Sequence, residues 1–462
     1  MKRDTLWSLR LGFSGKQADS IAASGLESFL KKSFDAPFDR NLPAFLADDP
    51  KSLDEIKKYR ALAKENSGPA KEILSRQVRN AIELRAWWLE KMYGSQFPLR
   101  EKMTVFWHNH FVSTIPKVKV NRWMYEHNMI LRENAFGNLK KLTKKILKSN
   151  AMVRYLDNTD NRKGKINENL SRELLELFTL GIGNYTEDDI RNGAKALAGL
   201  APSDANAQYR PLLQDDDAIT YLGKTGNFKL DELVDIIFEH PKAPYLITRK
   251  ILKWFIYDTP DEKLVTYYGD SLRKNDYELQ PLLIKIFTEE FNKDNAGQKI
   301  KDPLLYALQL CDVLNIERLP TYPIIVFLRQ QGMDLLNQPN VKGWDGGRSW
   351  LTSQIFLQRH KVADALCNGK RFGRNPKEIT SENKATPDTR SDKIRLDFPK
   401  NTDNLGIISH LSERLLFQSD ERLREDFEKI LKYDFDPKSP GSENAVIRLF
   451  NAMAKTPEFQ LI

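Results

Sequence analysis

A large, mainly α fold of many helices is what this 462-residue sequence predicts, and three observations predict it. Apolar residues recur at three- and four-residue intervals through most of the chain, the mark of amphipathic helices. Capping chemistry punctuates those segments, with Pro98 suited to a first helical position, Thr186 and Asp189 spaced as a capping box, and Gly181 and Gly183 suited to a stop. Short extended runs gather in residues 201–228, where Ala, Pro, Asp and Gln break the period and predict a small β-hairpin or loop excursion, with one further strand expected at Lys393–Phe398. The length suffices for a sizeable core, and the organisation expected is one large helical domain over 1–462.

In chain order, the spacing predicts helices over 4–13, 16–34, 52–65 and 69–93, then one from Leu99 to about Phe111. Helices are expected at 117–134 and 138–148, followed by a loop from Asp157 whose acid and Gly spacing is wrong for an EF-hand. The central helix starts near Asn167, and another runs over 187–200. Periodicity returns at 229–239, 243–257, 262–274, 277–291, 303–314 and 323–336. Lys342-Gly-Trp-Asp-Gly-Gly347 is expected as a tight turn, in which Trp344 either stacks on a ligand or anchors the loop to the core. Residues 371–403 lack periodicity and are expected as a polar surface insertion, before helices at 404–417, 420–433 and 442–455.

Composition narrows the function classes. Charged residues make up 29% of the chain and no run of 18 apolar residues occurs, so no membrane-spanning helix is expected. The N-terminal stretch lacks the long apolar core and small-residue cleavage site of a secretory signal, which makes the cytoplasm the default expectation. Two cysteines, Cys311 and Cys367, exclude a disulfide framework. Between residues 117 and 165, thirteen Lys/Arg face four Asp/Glu, so this segment accounts for the whole net charge of +9. Its Lys140, Lys141, Lys144, Lys145 and Lys148 gather on one side of an amphipathic helix. Such a run is usually a solvated face; the functional alternative is attraction of an anionic substrate or surface through residues such as Lys144. Nucleic acid is an unfavoured partner, because no recognised motif accompanies the charge.

The densest chemistry lies in Asn167–Gly183, NENLSRELLELFTLGIG, and in Phe106–Phe111, FWHNHF. Leu170, Leu174, Leu177 and Phe178 form an apolar stripe, while Asn169, Arg172, Glu173 and Glu176 share another face. Glu173 and Glu176 are spaced to share a proton or an ion, and Arg172 to grip a carboxylate. The bland alternative is an Arg–Glu–Asn network that fixes helix packing. His108 and His110 project about 200° apart on a continuous helix, so both cannot bind one ion there. The catalytic candidates are thus Glu173, Glu176, Arg172 and His110. The substrate-binding candidates are Asn167, Asn169, Trp107, Trp344 and Lys144. The metal-ligand candidates are His108, His110, Glu173 and Glu176, a mixed set that suits Zn, Mn or Fe. The residues lean towards a metal-dependent hydrolase or oxidoreductase acting on an anionic substrate; the alternative is a non-catalytic helical scaffold with a basic partner-binding face. Phosphate-loop, dinucleotide-binding and serine-hydrolase signatures are absent.

FWHNHF, NENLSRELLELFTLGIGNYTEDDI, HPKAPYLITRKILKWFI and NQPNVKGWDGGRSWL, in this order, resemble the bacterial "domain of unknown function 1800" family. The resemblance covers most of the chain and implies no defined activity. It implies a protein partner from a neighbouring gene, since members are often encoded beside a second uncharacterised family, and export of many members. One departure stands out: the family pattern HDxGxKxxLG is here matched at Asp215, but Gln214 replaces its His and Ile219 its Lys.

Overall fold

The computed structural model describes residues 1–369 and 394–462, and the described chain is mainly helical. Most expected helices are present, and the differences have local causes. The segment expected as one helix over 16–34 is two, Ala18–Ser24 and Leu26–Asp35, parted by Gly25 at φ 77°. The one expected over 117–134 is Ile115–Val118 and Asn121–Glu133, parted by Lys119 in the left-handed region at φ 69°. The last helix before the Trp-rich turn stops at Gln330, where Gly332 turns the chain at φ 75°. Of the expected insertion at 371–403, residues 371–393 lie outside the described residues. The part that follows packs inward, with Leu396 and Phe398 buried and the Arg395 amide donating to the Leu314 carbonyl at 3.1 Å.

The excursion at 201–228 contains two small antiparallel ladders. β1 (Leu200–Ala201) pairs with β2 (Gln208–Tyr209), and β3 (Ile219–Tyr221) with β4 (Lys224–Gly226). The turn between β3 and β4 is Leu222-Gly223, both at positive φ, the conformation that matches strand twist in two-residue hairpins. The Leu222 amide donates to Asp189 Oδ1 at 2.7 Å, which holds this unfavourable leucine conformation in place. Ile219, one of the two departures from the family pattern, is a buried strand residue.

Large aromatic side chains, among them Trp7, Trp88 and Trp107, fill the core. Buried charges cross it in pairs: Lys102 meets Asp302 at 3.1 Å, and Arg132 meets Glu101 at 2.8 Å. The segment 299–301 pairs with 460–462 through reciprocal backbone bonds of 2.8–3.0 Å between Lys299 and Ile462 and one of 2.8 Å from Lys301 to Gln460. Among the described residues no helix is long and apolar enough to cross a membrane.

The basic helix, Leu139–Leu147, has its cationic face partly neutralised, with Lys141 and Lys145 left exposed and without an acidic partner among the described residues. The Leu230–Glu239 helix packs against it, and Asp235 receives both Lys140 and Lys144, at 2.9 and 2.5 Å, while Asp231 receives Lys148 at 2.7 Å. Lys144 is therefore spent on a helix–helix contact, contrary to its expected substrate-binding role. A Lys140→Ala/Lys144→Ala variant is expected to bind a heparin column nearly as the parent does at matched salt. A collapse of retention would restore this face as a docking surface.

Candidate functional site

The central helix changes type midway. Asn169–Glu173 is α-helical, and Leu174–Thr179 continues as a π-helix. Its wider turn shows in the Leu180 amide reaching back five residues to the Leu175 carbonyl at 2.9 Å. The Leu177 and Phe178 carbonyls are left at the helix end without an amide partner of the ordinary kind. Two side chains from distant elements take them: His110 Nε2 lies 3.1 Å from the Phe178 oxygen, and Lys250 Nζ donates to the Leu177 oxygen at 2.9 Å. Lys250 Nζ also lies 3.1 Å from His110 Nδ1, so the three groups form one unit. Burial, with Lys250 adding to it, holds His110 well below its ordinary value and hence neutral. Burial and Lys253 bring Lys250 down to about 8.

Above this unit lies a cavity of about 120 Å³, with Lys250 and His110 in its wall. Phe106 and Asn109 of the Leu99–His110 helix, Lys253 and Trp254 of the Ala243–Phe255 helix, Asp258, Lys299, and residues of the Lys342–Trp350 loop complete it. Four lysines and two aspartates face it, an excess of two positive charges. Asp258 is partly committed, since its Oδ2 accepts the Ile300 amide at 3.1 Å and its Oδ1 lies 3.6 Å from Lys299. Lys299 is buried and brought down to about 8 mainly by that burial, with Asp258 opposing it. The indole nitrogens of Trp254 and Trp344 are buried donors without a hydrogen-bond partner among the described residues.

The loop is locked in place by Asn109. Its Oδ1 accepts the Trp344 amide at 2.6 Å. Gly343 lies against it at φ 86°, where a Cβ would collide with Asn109 oxygens. Trp344 is thus an anchor whose ring also lines the cavity. Gly343→Ala is expected to unseat the loop, at a cost of roughly 2–4 kcal/mol from clash and left-handed strain together. A thermal melt within about 1 °C of the parent would contradict this.

The other expected residues are placed as follows. Glu173 and Glu176 are both half-buried on the central helix. Glu176 accepts from the Tyr185 hydroxyl at 3.2 Å. Glu173 has no hydrogen-bond or ion-pair partner among the described residues. Burial and then Glu176 push its carboxyl up, with Arg172 and Lys342 opposing. Arg172 forms a fork with Glu187, at 2.9 and 3.1 Å, and reaches Glu168 at 3.0 Å on the protein surface. Asn167 and Asn169 do not reach the cavity: the Asn169 amide donates to Asn167 Oδ1 at 3.0 Å, and both side chains turn to Asp157.

Two aromatic-segment expectations need correction on burial. Trp107 is fully enclosed and donates to the Ala135 carbonyl at 3.1 Å, so no ligand can stack on it. His108 is equally enclosed, on the far side of the helix from His110, between Trp88 and His127 and 3.1 Å from the Asn128 amide. The four expected metal ligands do not converge, and among the described residues no group of three or more His, Cys, Asp or Glu side chains is gathered as for a metal ion. Gln214 and Ile219 are not among the residues lining the cavity.

Lys250, Lys253, Asp258 and Lys299 were not singled out from the sequence. Lys250, Lys253 and Trp254 stand at i, i+3 and i+4, a polar face within an otherwise apolar helix that could have flagged the first two. Lys299 carries no such signal, because its position depends on pairing with the end of the chain.

The model of a family described as "Protein of unknown function (DUF1800)" matches residues 5–461. No curated protein and no solved structure matches the chain.

Proposed function

We propose a function for this chain, which belongs to the DUF1800 family of proteins of unknown function, from its cavity: it is an enzyme that binds a small organic anion between Lys250 and the Lys342–Trp350 loop. The convergence of Lys250, Lys253, Lys299 and Lys342 on one small cavity carries this proposal. Unpartnered indole donors and a floor of aromatic rings suit a ligand that is anionic at one end and apolar elsewhere. A volume of about 120 Å³ is the scale of a short-chain acid rather than a nucleotide. Two groups in the cavity wall have displaced titration, Lys250 and Lys299, each brought down to about 8 mainly by burial.

Titration calorimetry with pyruvate and with inorganic phosphate tests the proposal. Saturable binding that weakens with added salt is expected. Lys250→Met is expected to reduce affinity about 10- to 100-fold, the worth of one charge-assisted hydrogen bond. Absence of saturable binding by either anion in the folded parent would overturn the proposal.

A metal-dependent variant of this function has one observation in its favour, the unpartnered Glu173 carboxylate beside Glu176. A Zn, Mn or Fe ion there would draw on those two carboxylates. His110 fits such a set poorly, because both its nitrogens are engaged. Elemental analysis decides: stoichiometric metal in the parent and its loss in Glu173→Ala would favour the ion.

A further inference from the structure

The amine of Lys250 is held by two acceptors and left with one free direction. The Phe178 carbonyl can only accept, so the His110 Nε2 that meets it at 3.1 Å carries the ring proton. His110 Nδ1 therefore presents a lone pair, and Lys250 Nζ, 3.1 Å away, donates to it. A second hydrogen of Nζ goes to the Leu177 carbonyl at 2.9 Å. With its own carbon and two hydrogens so placed, a tetrahedral nitrogen has a single direction left, for the cavity that Lys250 lines. The ammonium form shows an N–H there; the neutral form shows a lone pair already aimed. Lys253 on the same helix favours the neutral form, while Lys299, Lys342, Asp258 and Asp345 complete the charged lining of the cavity. Burial acts in the same sense as Lys253.

We propose that Lys250 is a nucleophile that condenses with the carbonyl carbon of a small oxo acid, the carboxylate of which faces Lys253, Lys299 and Lys342. This deepens the anion-binding proposal above and rests on it. The Nζ lone pair forms the N–C bond while the carbonyl π pair moves to oxygen. His110 Nδ1 is placed to take the proton that Nζ then sheds. Over the two steps both amine hydrogens end on the departing oxygen, which leaves as water, and a C=N bond replaces C=O. No oxidant or reductant is consumed. One further proton on the imine nitrogen gives the iminium, and that new N–H has the Leu177 carbonyl to donate to.

The test is reductive trapping of the full chain with pyruvate and sodium cyanoborohydride, followed by peptide mapping in a mass spectrometer. One adduct per chain at Lys250 is expected, saturating with pyruvate and suppressed by excess inorganic phosphate. Lys250→Arg, which keeps the cation and its helix-end contacts, is expected to lose that adduct while still binding phosphate in the calorimeter. Adducts confined to exposed lysines, or an unmodified Lys250, would overturn the covalent step. If pyruvate binds without an adduct at Lys250, only that step falls. If neither anion binds and no adduct forms, the anion-binding proposal falls with it.

Discussion

Acidification from pH 6.5 to about 5 is expected to weaken the fold steeply, before most carboxylates titrate. Three histidines, His108, His110 and His127, are enclosed without an acidic partner. Burial dominates in each and keeps the ring neutral; His127 is brought down to about 4, and the other two lie well below their ordinary value. In the unfolded chain all three take up a proton near pH 6.5. Between that value and about 4 the unfolded state thus binds more protons than the folded one, and stability rises with pH through this window. The contribution is whole above pH 6.5 and is lost as pH falls. For His127 alone the shift corresponds to roughly 3 kcal/mol, and His108 and His110 act in the same direction. Against a total of about 5–15 kcal/mol this is enough to unfold the protein in mild acid. Urea midpoints measured at pH 7, 6 and 5 should fall monotonically, and His127→Gln should flatten the slope. A constant midpoint down to pH 5 would mean that these rings are not held neutral.

Glu101→Ala is expected to cost roughly 3–5 kcal/mol, because it strands a buried charge. Glu101 Oε2 accepts from Arg132 at 2.8 Å and from the Trp88 indole at 3.0 Å, and Arg132 is 1% exposed. Removing the carboxylate leaves the guanidinium without its counter-charge, and the Trp88 donor without an acceptor. Replacing both partners with Met should cost less than the single change, since no unpaired ion then remains. A double-mutant cycle by urea denaturation gives the coupling directly, and additive single effects would show that the pair is not the source of the loss.

Helix periodicity carried most of the architecture because tertiary packing here follows the apolar faces. Where an expected helix is broken in two, one residue decides. Nothing in the side chain of Lys119 announces a left-handed backbone, and the helix breaks there; Gly25 could have been suspected. At the site, FWHNHF and the central helix lie beside one another as expected, but through His110 and backbone carbonyls rather than through His110 and carboxylates. The change from α to π at Leu174 is invisible to a pattern of apolar spacing, since Leu174, Leu175 and Phe178 are buried in either form. Without it the freed carbonyls could not be anticipated, nor the role of Lys250 as their partner. The histidine geometry was legible in part: the opposed directions of His108 and His110 follow from helical rotation alone, and the structure keeps them on different sides.

The π-helical turn also gives the chain an unusual sensitivity to length. In most helices a one-residue deletion swings everything downstream by about 100°. Between Leu174 and Thr179 such a deletion would instead close the widened turn into an α-helical one and move the helix end, with the Leu177 and Phe178 carbonyls, away from its present place. Lys250 and His110 would lose their docking points together, so the smallest in-frame loss of coding sequence would yield a tidier helix and an unfurnished pocket.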